Sequence, residues 1–157
     1  MRFEVVSIDE YAKAVKQFEW CLQYEDIELP KRKTSGSAGY DIQSAVETNI
    51  YTGEVVLLPT GLKAQIDDGY TMLLFIRSSI GVKGLVLAND VAVIDSDYYN
   101  NEDNEGHFFL AVKNVSNETN HINAGDRIAQ AVFVKYGTVD DDNAEETRKG
   151  GIGSTGI

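Results

Sequence analysis

The sequence predicts a compact all-β domain, a sandwich or a barrel, that carries one added helix near its N-terminus. Three observations lead to this fold class: a helical period in the first residues, strand-length apolar runs after Pro30, and no second long helical period among those runs. The length of 157 residues fits one domain that can bury a core without disulfides or structural metal.

The added helix is predicted over about residues 8–24. Ser7 followed by Glu10 matches the capping box that starts many helices. Apolar residues then recur at helical intervals and would form one face that docks on the domain. They are Tyr11, Ala14, Val15, Phe18, Cys21 and Leu22. We assign this face no chemistry.

The strands are predicted in six runs that are rich in branched or aromatic residues and bounded by turn formers. These runs are EVVLLP, TGLKAQI, GYTMLLFI, GLVLANDVAVI, HFFLAVKNV and RIAQAVFVKY. Residues 97–107 form a polar loop between two of them. The expected division is a strand-and-helix extension at 1–28, a β-domain at 29–138 and a mobile C-terminal arm at 139–157.

The charge balance of 14 basic against 25 acidic residues gives a net charge of -11, which disfavours polymeric nucleic acid and anionic membrane surfaces as partners. No apolar run is long enough to span a membrane, and no secretory leader precedes the first strand. We therefore expect a cytoplasmic protein, encoded by a cell or by a virus or phage. Cys21 cannot form an internal disulfide, and two histidines are too few for a zinc cage.

Two segments could either bind phosphate or simply form turns. In GSAGYDI, Asp41 begins a strand, and on its own it fits a turn. In RSSIGVKG, Arg77 precedes two hydroxyls, so that Arg77, Ser78 and Ser79 could hold a phosphate. One of the two serines could instead cap a helical turn.

Two further segments add carboxylates and a glycine-rich end. Asp95 and Asp97 would share one face of an extended strand, where a carboxylate could act as general base toward water, bind a cation or begin a turn. Asn89 could orient the same water. The segment RKGGIGSTG could form a nest of amides around phosphate oxygens, although on its own a disordered, solvated tail is the better explanation. His107 and His121 are interpreted as ordinary residues in or beside loops.

Taken in order, these segments resemble the five motifs of the trimeric dUTPase family, which hydrolyses dUTP to dUMP and pyrophosphate and so keeps uracil out of DNA. The matching stretches are AGYDI, RSSIGVKG, VIDSDY, GDRIAQ and GGIGSTG, and the resemblance runs from about residue 29 to the C-terminus. It implies a jelly-roll or β-barrel subunit, a homotrimer with shared active sites, dependence on Mg²⁺, and dUTP and dUMP as ligands.

The resemblance also implies roles for individual residues. Asp95 would activate the attacking water with Asn89 nearby, and Tyr98 would pack on the deoxyribose and exclude a 2′-hydroxyl. The other contacts implied are with phosphate, with magnesium through water, or with substrate from a neighbouring subunit's arm. They are Arg77, Ser78, Ser79 and Gln130 on phosphates, Asp41 on the magnesium shell, and Arg148, Ile152, Gly153, Ser154 and Thr155 on the arm.

The sequence departs from the family pattern at three places. Ile152 stands where the family usually has a phenylalanine over the uracil, and Asp90 and Ala92 replace small residues or glycine around the third motif. The loop after Tyr98 is longer than usual and could alter access or contact the added helix. These departures leave open a fold relative that acts mainly as a nucleotide-regulated protein-binding module, with a partner at the helix or at 99–106. The related dCTP deaminases are a third interpretation.

Overall fold

The computed structural model describes residues 1–144 and Gly150, and their regular elements are mainly short β-strands, as predicted. The elements are β1 Arg2–Val5, α1 Ile8–Val15, β2 Trp20–Cys21, β3 Tyr40–Gln43, β4 Val46–Ile50, β5 Val55–Pro59, β6 Leu62–Gln65, β7 Tyr70–Ile76, α2 Ser78–Gly81, β8 Leu85–Leu87, β9 Ala92–Ile94, β10 Phe109–Asn114, β11 Asn120–Ile122 and β12 Arg127–Lys135. Short 3-10 turns lie at Tyr24–Asp26 and Ser96–Tyr98. No helix among the described residues is long and apolar enough to cross a membrane.

Within the described residues the strands form four small antiparallel sheets, ordered β1-β6, β5-β10-β8, β11-β4-β2 and β3-β12-β7-β9. Alternate residues of these strands point into one shared core, as the period of two predicts. The largest fully buried apolar side chains are Ile42, Ile50, Leu58, Leu62, Met72, Leu74, Leu85, Phe108, Leu110, Ile122 and Ile128. All six predicted apolar runs contain a strand, and GLVLANDVAVI contains two.

The predicted helix at 8–24 is wrong in its second half, because α1 ends at Val15. Trp20 and Cys21 instead pair with Glu47 and Val46 of β4, so they lie in a strand. The apolar face still buries Tyr11 and Val15. Trp20 and Cys21 have only weak helical preference, so their pairing with β4 outweighs the local 3.6-residue period.

The four-stranded sheet has apolar residues on both faces. Met72 and Leu74 of β7 are fully buried on the core side. The opposite face is only partly covered within the chain, and Val93 on it is 58% exposed. Its members, from the strand register, are Leu73, Phe75, Val93, Val132 and Val134. A contiguous apolar face of this kind is typical of a surface that another chain covers.

Candidate active site

The first candidate cavity lies where β3, β12 and β7 are adjacent. Gln130 pairs with Asp41 on one side and with Phe75 on the other, so these side chains share one face of the sheet. Arg77 follows β7 directly, and its N–H donates to the carbonyl of Ile128 at 2.9 Å. The cavity measures about 470 Å³ and is lined by Lys33, Ser37, Ala38, Gly39, Asp41, Arg77, Ser78, Arg127, Gln130 and Val132.

Two guanidinium groups meet on the Asp41 carboxylate. Arg77 Nε lies 2.9 Å from Oδ1, and Arg127 Nη1 lies 3.0 Å from Oδ2. Arg77 Nη1 also donates to the carbonyl of Arg127 at 3.2 Å. The carboxylate therefore fixes the direction of two cations at the edge of the cavity, and a charged fork held in this way is suited to binding phosphate oxygens.

The serines of the second motif lie at the start of α2 and are exposed. The possibility that Ser78 or Ser79 caps the helix is wrong, because the N-cap is Arg77 and its side chain makes no cap hydrogen bond. Ser78 lines the cavity beside Gln130. Gly39 packs against the Gln130 side chain, since a Cβ atom there would lie 2.5 Å from Oε1 of Gln130 and would displace that side chain.

Sequence reasoning missed two cations of this cavity, Lys33 and Arg127. Arg127 lies inside the fourth matched motif, but nothing local distinguishes it from a surface arginine until β12 is paired with β3. Lys33 ends a run of three basic residues at 31–33. In a chain with a net charge of -11, such a local concentration of positive charge was the sequence signal that could have indicated an anion site here. These two residues raise the positive charge around the predicted phosphate contacts.

A second cavity, about 430 Å³, brings Asn89, Asp95 and Tyr98 together. Its walls are otherwise mainly apolar and are lined by Leu57, Ala88, Ala92, Val93, Ile94, Phe108, Phe109 and Ala111. Tyr98 is buried, its hydroxyl donates to the carbonyl of His107 at 3.0 Å, and Asn104 Nδ2 donates to that hydroxyl at 2.9 Å. The tyrosine ring is therefore held in one orientation against the cavity.

The expectation that Asp95 and Asp97 share a strand face is wrong. β9 ends at Ile94, and Ser96–Tyr98 form a 3-10 turn, so the side chains of Asp95 and Asp97 diverge. Asp95 lines the cavity and Asp97 is exposed. Asp90, in the turn before β9, has φ of 57°, a conformation that aspartate tolerates better than most residues. The substitution that departs from the family pattern therefore keeps a glycine-like turn.

The two cavities lie at opposite ends of β7 and share no lining residue among the described part of the chain. Ile94 pairs with Met72, so Asp95 lies level with Thr71, six positions before Arg77. At about 3.3 Å per residue, Asp95 and Arg77 are separated by about 20 Å along the strand. One chain therefore cannot bring both residues to the same phosphate.

The remaining predicted contacts lie outside the described residues. They are Arg148, Ile152, Gly153, Ser154 and Thr155. Of the predicted arm at 139–157, the structure describes residues 139–144 and Gly150. Among the described residues no group of three or more histidine, cysteine, aspartate or glutamate side chains could hold a metal ion.

Comparison with known proteins identifies the family. The sequence matches the model of the dUTPase family over residues 25–156. It is 47% identical to the deoxyuridine 5′-triphosphate nucleotidohydrolase of Lactococcus lactis, over 90% of this chain and 98% of the relative. The crystal structure of the dUTPase from Streptococcus mutans aligns with a TM-score of 0.74 and 42% identity, over 89% of this chain and 99% of that one.

A more distant fold match is the dUTPase of Staphylococcus bacteriophage 80alpha, with a TM-score of 0.68, 22% identity, and coverage of 92% of this chain and 96% of that one. Phage dUTPases are described there as controlling transfer of virulence genes. At this identity the likeness concerns the fold alone. The family match over most of the chain and the two closer bacterial relatives show that this protein belongs to the dUTPase family.

Proposed function

We propose that this protein hydrolyses dUTP to dUMP and pyrophosphate, and is thus a dUTP diphosphatase. The observation that carries the proposal is the cavity where Asn89, Asp95 and Tyr98 meet between apolar walls. A small apolar slot with a few placed polar groups suits a pyrimidine deoxynucleoside. The bacterial relative that is 47% identical is named for this activity.

In the proposed reaction the Asp95 carboxylate takes a proton from a water molecule, and Asn89 orients that water. The water oxygen forms a bond to the α-phosphorus as the bond from that phosphorus to the bridging oxygen breaks, and pyrophosphate leaves. Negative charge on the leaving group is stabilised by cations, for which Arg77 and Arg127 are the candidates. Ser78, Ser79 and Gln130 are proposed as further phosphate contacts, and Arg148, Ile152, Gly153, Ser154 and Thr155 as contacts from the arm.

Sugar and base selection are proposed to come from shape. Tyr98 is fixed by hydrogen bonds at its hydroxyl, so its ring cannot turn aside for a 2′-hydroxyl group. The turn that contains Asp90 lies beside Asn89 and leads into β9, which places backbone amides and carbonyls beside the cavity. We propose that this backbone reads the uracil edge in a slot too narrow for the methyl group of thymine.

A homotrimer with shared active sites is proposed on two grounds. Asp95 and Arg77 are about 20 Å apart along β7, so a second chain must supply one of them for any single phosphate. The partly exposed apolar face around Val93 also calls for a covering partner. Cyclic assembly of identical chains meets both requirements.

Magnesium is proposed as the cofactor. Mg²⁺ keeps several waters and binds mainly through substrate phosphates, so a site without a protein carboxylate cluster fits it. Asp41 is the one carboxylate among the described residues that line the first cavity, where the phosphate contacts are proposed. It would contact the magnesium shell through water while it pairs with Arg77 and Arg127. When bound, the ion neutralises phosphate charge. The cytoplasmic location stays a prediction.

The test is pyrophosphate release from dUTP, dTTP, dCTP and UTP. We expect hydrolysis of dUTP to exceed that of the other three, and Asp95→Asn to abolish it, while the matched control Asp97→Asn keeps most of it. Equal hydrolysis of dTTP or UTP would contradict the proposed slot. Full activity of Asp95→Asn would contradict the proposed base, and ammonia release from dCTP would favour a deaminase.

A protein-binding role is a second candidate function. The N-terminal segment exposes Ile8 and Trp20, which are 57% and 64% accessible, and apolar side chains of this kind are where a partner would bind. The loop 99–106 is less available because its polar groups already contact the N-terminal segment. Capture of a partner by wild type but not by Trp20→Ala, with dUTP hydrolysis unchanged, would support this role.

A further inference from the structure

The capping box predicted at the start of α1 is completed by a residue far away in sequence. Ser7 Oγ accepts from the Glu10 N–H at 3.2 Å, as predicted. The Ser7 N–H, however, donates to Oε2 of Glu105 at 3.0 Å, and the Ser7 hydroxyl also bonds that carboxylate. Glu105 therefore takes the place that Glu10 would have in a local capping box, and the side chain of Glu10 serves another partner.

That partner is His107, which is fully buried. Glu10 Oε1 lies 3.1 Å from His107 Nδ1, and Glu10 itself is 8% exposed. The Gly61 N–H donates to His107 Nε2 at 2.9 Å, so Nε2 has no proton and the neutral ring carries its proton on Nδ1. The imidazole is thus a fixed link that accepts from Gly61 and donates to Glu10.

His107 in turn holds two walls of the second cavity, which contains Asn89, Asp95 and Tyr98 and which we call the nucleoside cavity. Its carbonyl accepts from the Tyr98 hydroxyl and from Asn104 Nδ2, each at 3.0 Å. Its ring lies 4.2 Å, centroid to centroid, from the ring of Phe109. Tyr98 and Phe109 both line the cavity that contains Asp95. A shift of the histidine would therefore move the surface against which a deoxyribose would pack.

The backbone between these residues has little room to absorb such a shift. Gly106 has φ of 82°, and a Cβ atom there would lie 2.6 Å from the Tyr98 carbonyl oxygen. Directly after Tyr98, the Tyr99 hydroxyl donates to Glu4 Oε2 at 2.7 Å. Residues 4–10 therefore contact the stretch that follows Tyr98 at Tyr99, Glu105 and His107, while the family model begins only at residue 25.

We propose that Glu10 is a positioning residue for the nucleoside cavity, which acts through His107 on Tyr98 and Phe109. The inference rests on the proposed dUTP hydrolysis for its kinetic consequences. Loss of the Glu10–His107 hydrogen bond leaves a buried Nδ1–H without its acceptor, and the ring then moves to find another. The deoxyribose contact loosens more than the positions of Asp95, which is the N-cap residue of the 3-10 turn that contains Tyr98, and of Asn89, which precedes β9.

The test compares three substitutions at Glu10 with a control on the same helix. Glu10→Ala removes the acceptor, Glu10→Asp withdraws it by one methylene group, and Glu10→Gln keeps an oxygen that can accept from Nδ1–H. Asp9→Ala, at an exposed position of the same first turn, is the matched control. We expect Glu10→Ala to raise KM for dUTP and to lower the preference for dUTP over UTP, each by about fivefold, which corresponds to about 1 kcal/mol.

The expected kcat falls by less than KM rises, Glu10→Asp lies between wild type and Glu10→Ala, and both Glu10→Gln and Asp9→Ala resemble wild type. Unchanged KM and sugar preference in folded Glu10→Ala and Glu10→Asp would overturn the proposal, as would a loss in Glu10→Gln equal to that in Glu10→Ala. Hydrogen exchange at residues 98–109 gives a readout independent of activity. Faster exchange there in Glu10→Asp than in Asp9→Ala supports the link even if wild type proves inactive on dUTP, which would refute only the proposed function. Equal exchange in the two variants refutes the link.

Discussion

If Asp95 and Arg77 act in the same site from different chains, two inactive variants should restore each other. Asp95→Asn removes the proposed base, and Arg77→Ala removes a proposed phosphate contact. The structure separates these positions by about 20 Å along β7, so each active site would take Asp95 from one chain and Arg77 from another. A mixed trimer would then contain sites in which both residues are intact.

The size of the recovery follows from random assembly. In an equal mixture, a site draws its Arg77 from an Asp95→Asn chain half of the time and its Asp95 from an Arg77→Ala chain half of the time. About one quarter of the sites are therefore complete, and about one quarter of wild-type activity should return. If both residues acted within one chain, no site in this mixture would be complete.

The assay is pyrophosphate release after the two variants are unfolded and refolded together. The control is an equal mixture of wild type with the doubly substituted chain, which gives about one quarter under shared sites but about one half if each chain holds its own site. Each variant refolded alone sets the background, and two affinity tags show that mixed trimers form. Activity that stays at background in verified mixed trimers would refute the shared site.

Three further predictions concern Asp41, His107 and Ile152. Asp41→Asn removes the charge that pairs with Arg77 and Arg127, and is expected to lower the free energy of unfolding by about 1 kcal/mol in a urea titration and to raise KM for dUTP with Mg²⁺; an unchanged KM would contradict its role. Burial lowers the pKa of His107 below its ordinary 6.5, so its imidazole binds a proton more readily in the unfolded chain than in the folded one. The contribution of this group to the free energy of unfolding is therefore full above pH 6.5 and falls as the pH drops below that value. Thermal unfolding from pH 7 to about pH 5 should show that loss, and His107→Gln should reduce its slope. Ile152→Phe is expected to lower KM for dUTP by about threefold, because a ring stacks on uracil better than an aliphatic chain does; weaker binding would refute that interpretation of the departure.

Much of the fold was predictable because strand propensity and turn residues are local properties. The six apolar runs contain strands, and Ser7 caps α1. The helix was predicted too long because the partner of Trp20 and Cys21 is β4, more than twenty residues later in the chain. Asp95 and Asp97 were misplaced for a related reason, since the end of β9 at Ile94 depends on its pairing with β7.

The sequence by itself determined the family, the candidate residues and their order, because motif residues are fixed by the chemistry they serve and lie close together in the chain. The tertiary structure alone decided which of those residues meet. Asn89, Asp95 and Tyr98 share one cavity, while Asp41, Arg77 and Gln130 share another at the far end of β7. The tertiary structure also decided that the Glu10 side chain contacts His107 and does not cap the N-terminus of its own helix. Contacts of this kind depend on strand register and burial, which are set by the whole chain and leave no period in the sequence.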